Sequence, residues 1–481
     1  MKNKLALVLS ISAAMYLQAQ QGNSYWDFTE IRNSSDVYGN NLEFNSARSV
    51  GMAGALGALG GDIASTTINP AGVGVAIAGD FQGTIGFQSN KNTSNLAESS
   101  SMLKDNNTRL SQIGGIIAFP VNSNKWKFVN LGVNYINKDL SNQVLTPGNH
   151  NIYSDVDWTD QNGNIVHDKL MYNGHRYDRS GHGSKMGISV GGNYENRIYV
   201  GAGLNFHSAN FDQYDYYQGI YDSDGKTEIY DKQFTPYSEN STGFSASLGI
   251  IGRVSNQFRL GASIETPTWW NIDRVYTQYT PNANDNNIQS IDNYRESRNF
   301  RSPMKATLSA AFVPSKSFAF NVDYTVGLSK PHFEENTSIN RDLNQFFDQN
   351  SKSQSEVRLG AEYRLEGFRL RAGYAFASNP FDSQTIAAFQ NNGNMGNSTF
   401  SNLYVGKRNI AGVGIGYDFK SFYIDAAYQN VNYKYDNAFA SGDYATYDSS
   451  NHGVIVSNDA AIVSEVKNQQ NNIFITLGYR F

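Results

Sequence analysis

The chain contains no cysteine, which rules out a disulfide framework, a thiolate metal site, a cysteine nucleophile and a lipidated N-terminal cysteine. It has no excess of basic charge: the formal net charge is -5, both signs are mixed along the chain, and nothing forms a footprint for nucleic acid. Beyond residue 19 it has no apolar window of about 18 residues, and the mean hydropathy is -0.49, so a helical membrane protein is excluded. Proline is scarce at 10 residues, whereas Gly, Tyr and Phe number 44, 30 and 28. Glycine and aromatic enrichment together suit a barrel, in which aromatics form interface girdles and glycines keep inward positions small.

Residues 1–19 read as a signal peptide: Lys2 and Lys4, the apolar run Leu5 to Leu17, then Gln18-Ala19 ahead of Gln20. The mature chain is therefore exported. It is either soluble and β-rich or a membrane barrel, whose hydropathy signal is weak in each segment.

The last eleven residues set the pattern. Ile473, Ile475, Leu477, Tyr479 and Phe481 fall on one face, and Asn472, Thr476, Gly478 and Arg480 on the other, with Phe474 the exception. Period two is a strand signal, and an apolar-out, polar-in strand ending on an aromatic is what the closing strand of an outer-membrane barrel needs. Upstream, a single alternating segment begins at residue 81. Six pairs succeed it: 110–119 with 126–136, 183–194 with 197–211, 242–254 with 257–266, 303–313 with 317–328, 353–365 with 367–376, and 408–418 with 421–433. With the closing strand 471–481 they make fourteen. Each pair turns tightly, as at Asn122-Ser123-Asn124 or Glu366-Gly367, while long polar stretches such as 88–109, 137–182 and 377–407 separate the pairs. Short turns at one end and long loops at the other are the asymmetry of an outer-membrane barrel. The fold class is all-β: a 14-stranded antiparallel transmembrane barrel over residues 81–481, plugged by an N-terminal hatch over 20–74.

The hatch expectation comes from residues 46–74, where small residues dominate and backbone can pack closely on backbone. Gly51 lies in Gly51-Met52-Ala53-Gly54-Ala55, Asp62 comes after a glycine pair, and Asn69-Pro70-Ala71 reads as a rigid turn whose Asn side chain can bond neighbouring backbone.

In that order and place these motifs resemble the FadL family of transporters for long-chain fatty acids and other hydrophobic compounds. Gly57 to Asp62 and Ile68 to Gly72 are similar to the Bacteroidetes branch, often labelled hemin receptor. The resemblance implies capture of a hydrophobic ligand such as a fatty acid among apolar side chains near the outer loops. It also implies a lateral exit toward outer-membrane lipid where strand three bends, and a monomeric barrel. Strand three would be 126–136, with Gly132 the residue able to mark the bend. Residues with the character for a ligand pocket are Trp269, Trp270, Phe346, Phe347 and Phe381, with Phe389, Phe400 and Leu403 beside them. Arg358, Glu362, Arg364, Arg369 and Arg371, together with Arg259, Glu265, Asp323 and Asp425, alternate inward and form a charged lumen suited to cross-strand pairing and hatch anchoring, with recognition of an anionic head group a second role.

No catalytic set, cofactor or metal site is expected. Gly187-Ile188-Ser189-Val190-Gly191 matches Gly-x-Ser-x-Gly but sits mid-strand, whereas that motif needs a strand-to-helix elbow. Asp222-Ser223-Asp224-Gly225 lacks the later ligands of a calcium loop. His175 and His182, near Tyr172, Tyr177 and Asp178, have no tight metal or heme spacing. Four functional readings stand beside one another: a passive transporter of hydrophobic molecules, a barrel serving type IX secretion as shuttle or plug, a heme-related receptor, and a non-specific diffusion porin, which the hatch segment disfavours because it would block the pore.

Overall fold

The computed structural model describes residues 28–39, 45–159, 165–282, 288–447 and 453–481, so the signal peptide and residues 20–27 and 40–44 of the expected hatch lie outside the described residues. Among the described residues fourteen antiparallel strands close into one barrel. They are β1 (Asp80–Leu96), β2 (Ser99–Pro120), β3 (Trp126–Asp139, resuming at Asn142–Thr159), β4 (Ile165–Tyr194), β5 (Ile198–Tyr221), β6 (Tyr237–Arg253) and β7 (Phe258–Glu265, resuming at Trp269–Pro281). The second half comprises β8 (Ile288–Arg301, resuming at Lys305–Ser315), β9 (Phe318–Gly327), β10 (Ser355–Leu365), β11 (Phe368–Ala377), β12 (Arg408–Asp418), β13 (Phe422–Phe439) and β14 (Ile462–Arg480). β1 pairs with β14 from Asp80↔Arg480 to Asn95↔Glu465, and Gly79 and Phe481 exchange backbone hydrogen bonds of 2.9 and 3.1 Å. Closure matters because an open edge in hydrocarbon leaves backbone groups unpaired at several kcal/mol each.

The alternation of the closing strand is what the fold uses. Ile473, Leu477 and Tyr479 are 49%, 61% and 54% exposed, while Asn472, Phe474 and Thr476 are 2%, 1% and 1% exposed. Outward aromatics gather beside the short turns, with Phe419 stacked on Phe422 at 4.3 Å and Phe368 edge-on to Tyr417 at 4.8 Å. A second group lies higher, where Phe206, Phe244 and Trp269 succeed one another at 5.6 and 6.3 Å. Two aromatic belts around an apolar band identify the membrane-facing surface. No helix among the described residues is long and apolar enough to cross a membrane.

The six tight turns fall where the sequence puts them, but the long polar stretches are mostly strand. Residues 88–109 form the upper half of the β1–β2 hairpin, turning at Ala97-Glu98, and β4 runs for 30 residues. Above the membrane both strand faces meet water or polar lumen, so the period of two vanishes from the sequence while the ladder continues. The remaining outer segments carry helix α3 (Ser338–Asn350), capped by Thr337, and the hairpins Gln384–Phe389 with Met395–Phe400 and Gly442–Tyr447 with Gly453–Asn458.

The N-terminal segment lies inside the cylinder. Helix α1 (Phe28–Asp36) sits in the upper lumen, and helix α2 (Ala47–Gly51), closed by a Ser46–Ser49 capping box, sits lower. Two 3-10 turns, Ile63–Thr67 and Pro70–Val75, capped by Asp62 and Asn69, lead down to β1. Phe474, the exception in the closing strand, points inward because it packs on Ala47, Val50 and Ala53.

Candidate functional site

The lower lumen is filled by backbone meeting backbone. A Cβ placed on Gly201 would lie 2.4 Å from the carbonyl carbon of Pro70, and one on Gly373 would lie 2.2 Å from that of Met52. Only glycine permits that approach. Gly51 meets the wall in the same way, its virtual Cβ 3.2 Å from Gly414 Cα. Asn69 accepts from the Ala71 amide at 3.0 Å and donates to the carbonyls of Gly57 and Ile250 at 2.9 and 3.2 Å. One side chain thus caps a turn and ties it to β6. Asp62 accepts from the Ala64 amide at 2.7 Å and pairs with Arg48 at 3.3 Å. The wall returns these bonds. Asp323 accepts from the Leu56 and Gly57 amides at 3.0 and 3.1 Å, Arg259 donates to Leu59 O at 3.0 Å, and Asn130 donates to both Val73 O and Ala76 O at 2.8 Å.

The expected lumen charges separate into two kinds. Glu362 receives Arg48 at 3.2 Å, Arg371 at 2.8 Å and Arg364 at 2.9 Å, and Arg371 continues to Asp425 at 2.8 Å, so this network joins α2 to β10, β11 and β13. Arg358 pairs with Glu356 on its own strand, and Arg369 with Asp418 on β12; neither touches the N-terminal segment through these bonds.

The expected pocket aromatics converge, with one correction. Trp270, Phe346, Phe347 and Phe381 join a buried cluster with Phe300, Phe333, Leu343 and Leu403, and α1 with its adjoining turn adds Ile31, Val37 and Tyr38. Trp269 does not belong there: it is 45% exposed and lies on the outer belt beside Phe244, because neighbouring residues on a strand face opposite sides. Of the neighbouring candidates, Leu403 lies in the cluster and Phe400 packs against it, while Phe389 packs on a second outer cluster around Tyr172 and Phe439.

Strand three requires a second correction. Gly132 does not bend it; its virtual Cβ would lie 3.0 Å from Ile63 Cδ1 and Val73 Cγ2, so the glycine makes room for the N-terminal segment. The break comes higher, at Leu140-Ser141, and above it β3 crosses the inner face of the barrel. There Asn92 of β1 donates to Asn142 Oδ1 at 2.9 Å and to Gln143 O at 2.7 Å, and Thr146 bonds Ser94 and Ser464 at 2.9 and 3.2 Å. β2 and β3 pair from Pro120↔Phe128 only as far as Gln112↔Ile136, although β2 continues upward beside β1 to Ser99. The wall therefore parts between β2 and β3 at about the level of the upper aromatic belt. Side chains bridge the parting: Arg109 pairs with Asp139 at 2.8 Å, and Asn107 donates to Asp139 at 3.4 Å.

Two cavities adjoin one another here, and the second reaches the parting. The first, of about 60 Å³, has apolar walls from Pro303, Pro331, Pro380, Phe381 and Val405. The second, of about 130 Å³, is polar and runs from Arg179 and Arg408 to Asp105, Asn107 and Asp139 at the parting. Asp36 and Arg408 line both. Around them lie charges that sequence patterning missed. Glu30 bonds Arg274 and lies 3.5 Å from Arg298, and Asp36 pairs with Arg179 at 2.5 Å and Arg408 at 3.6 Å. Burial works to raise the Asp36 pKa, but Arg179 and Arg408 outweigh it and hold the carboxyl at about 2. Glu30 likewise stays below the ordinary range, Arg274 and Arg298 overcoming its burial. Residues 20–45 carry no period; the available signal was an acidic residue at each end of α1.

Among the described residues none of the candidate enzyme or metal motifs assembles into a site. Ser189 is buried mid-strand, and Gly191 beside it has its virtual Cβ 2.4 Å from Gly74 N, so the glycines of that motif serve packing. His175 stacks on Phe439 at 3.9 Å and bonds Asp215 at 2.9 Å, while His182 is exposed on the opposite face of β4. Among the described residues no group of three or more metal-ligating side chains occurs. Asp222 to Gly225 is a polar turn, Ser223 bonding Asp168 and the Lys226 amide bonding Asp224.

These features define a closed transmembrane barrel of the outer-membrane type with its N-terminal segment folded into the lumen and its wall parted beside β3. Solved structures share the overall barrel fold. A Pseudomonas aeruginosa FadL homologue matches with a TM-score of 0.52 at 12% identity, covering 90% of this chain and 98% of that one. The Pseudomonas putida toluene transporter TodX matches at 0.51 and 11% over 92% and 99% of the two chains. The Ralstonia pickettii toluene transporter TbuX matches at 0.51 and 14% over the same shares. No family model and no curated protein matches the sequence.

Proposed function

We propose that this chain carries hydrophobic small molecules, fatty-acid-like in character, across the outer membrane by passive, gated passage. The parted wall carries this reading: a polar cavity leads from the upper lumen to a break between β2 and β3 that only side chains bridge. A pore for polar solutes has no use for a break in its wall. A molecule that partitions into lipid does, because lateral release spares it re-solvation.

Capture takes place among the aromatics around Trp270, Phe346, Phe347 and Phe381 and in the apolar-walled cavity beside them, where burying ligand contributes roughly 25 cal/mol per Å². The described part of the expected hatch (20–74) acts as the plug, with Asn69, Pro70 and Ala71 seating its lower end, Gly51 fitting it to the wall, and Asp62 bracing it internally through Arg48. Folds shared with a FadL homologue and with toluene transporters support the class of cargo. The test is native mass spectrometry of the full chain purified in mild detergent, together with palmitate uptake into cells that produce it. A retained hydrophobic molecule and uptake above background are expected; the absence of both would sink the reading.

A further inference from the structure

The two cavities meet at one ion pair. Asp36 and Arg408, both lining both spaces, stand 3.6 Å apart, and Arg179 completes the arrangement at 2.5 Å. We propose that the Asp36 carboxylate is an internal stand-in for the acidic head of a ligand, a removable partition that a carboxylate-bearing amphiphile opens by taking its place on Arg179 and Arg408. This rests on the transport reading and narrows it to an anionic cargo.

Three observations carry the proposal. The arginines are held without Asp36: Arg179 donates to Leu140 O at 2.7 Å and to Asn33 Oδ1 at 3.0 Å, and Arg408 lies over the Tyr433 ring at 4.8 Å. An anion site therefore persists when the carboxylate leaves, in the planar guanidinium geometry that suits a carboxylate. Second, Asp36 closes α1 at its C-terminal end, and the last turn of that helix carries no basic residue. The helix dipole disfavours an acid there, so the carboxylate is placed by the wall arginines and not by its own helix, which leaves the pairing open to competition from another carboxylate. Third, the adjoining cavity offers apolar wall for the part of such a molecule next to its head, with Pro303, Pro380, Phe381 and Val405, and Lys330 and Lys352 among its lining. Below the pair, Arg179 is bonded to the carbonyl of Leu140, the residue at which β3 breaks, so the partition adjoins the way out.

The exchange is a competition. Any bias toward the closed pairing weakens apparent ligand affinity in proportion, about tenfold for each tenfold of bias. Palmitate and its neutral alcohol, hexadecanol, are titrated into detergent-solubilised full-length protein, with heat-modifiable gel migration as the check of folding. The wild type should bind palmitate more tightly than the alcohol. Asp36→Asn should tighten palmitate by about tenfold and leave the alcohol unchanged, and Arg408→Gln should erase the preference for palmitate. Equal binding of both compounds by the wild type, with neither variant altering the ratio, overturns the partition and leaves hydrophobic transport standing. Binding of neither compound by any form overturns the transport reading and the partition with it. Should Asp36→Asn not fold, the wild-type preference and its fate in Arg408→Gln decide alone.

Discussion

The lower and upper lumen are filled by the same N-terminal segment in different ways. Below, residues 45–76 press backbone against wall glycines, and side chains of the wall bond their amides and carbonyls. Above, α1 meets the wall through long side chains: Glu30 on Arg274, Arg32 on Asn437 and over the Tyr177 ring, Asp36 on Arg179 and Arg408. Close-packed backbone has one arrangement, and any shift leaves voids or clashes. Ion pairs on flexible arms can be exchanged for other partners without rebuilding the wall. The lower part is thus held chiefly by close backbone packing and the upper part chiefly by exchangeable ion pairs around a buried apolar cluster.

Substitutions break or sharpen that contrast. Gly373→Leu puts a side chain where Met52 already is, and overpacking on this scale costs on the order of 3 kcal/mol or more. The expected result is loss of heat-modifiable folded protein or a segment expelled from the lumen, read as large solute leakage. Arg274→Ala removes the shared partner of Glu30 and Glu239 and leaves two buried carboxylates, a loss of about 3 kcal/mol. Its effect should stay in the upper lumen, with faster proteolysis within α1 and unchanged leakage of hydrophilic solutes. Asn69→Ala deletes a cap and the bonds to Gly57 O and Ile250 O, for about 1 to 2 kcal/mol. Replacing Asn69, Pro70 and Ala71 together should raise leakage measurably, and unchanged permeability would reject their seating role. Trp269→Ala, on the outer belt, should cost less than about 1 kcal/mol of stability, seen as a slight fall in melting temperature, and leave ligand binding unchanged. Weakened binding would return Trp269 to the pocket.

The same contrast explains what the sequence could convey. The strands, tight turns and inward glycines were legible because lipid enforces alternation on every membrane-facing residue, as Ile473 to Phe481 display. Phe474 broke the pattern for a reason no strand period contains, its contact with α2. Residues 88–109 and 137–182 read as loops because their ladders continue where neither face needs to be apolar. The break in β3 was illegible for another reason. Leu140-Ser141 contains no breaker residue, unlike Pro267 and Pro303 at the interruptions of β7 and β8, and the bend is fixed by distant partners in Asn92, Ser94 and Arg179. The aromatic cluster was partly legible from composition, whereas Asp36 and its arginines, far apart in sequence, meet only in the folded lumen.

The absence of native cysteine opens a direct test of the exit. Cysteines placed at Asn107 and Asp139, on either side of the parting, are bridged by a short bifunctional maleimide in otherwise native protein, and palmitate uptake is measured before and after bridging. Release between β2 and β3 predicts that bridging stops uptake, while each single-cysteine variant treated with the same reagent continues to transport. Undiminished uptake through the bridged barrel would contradict it.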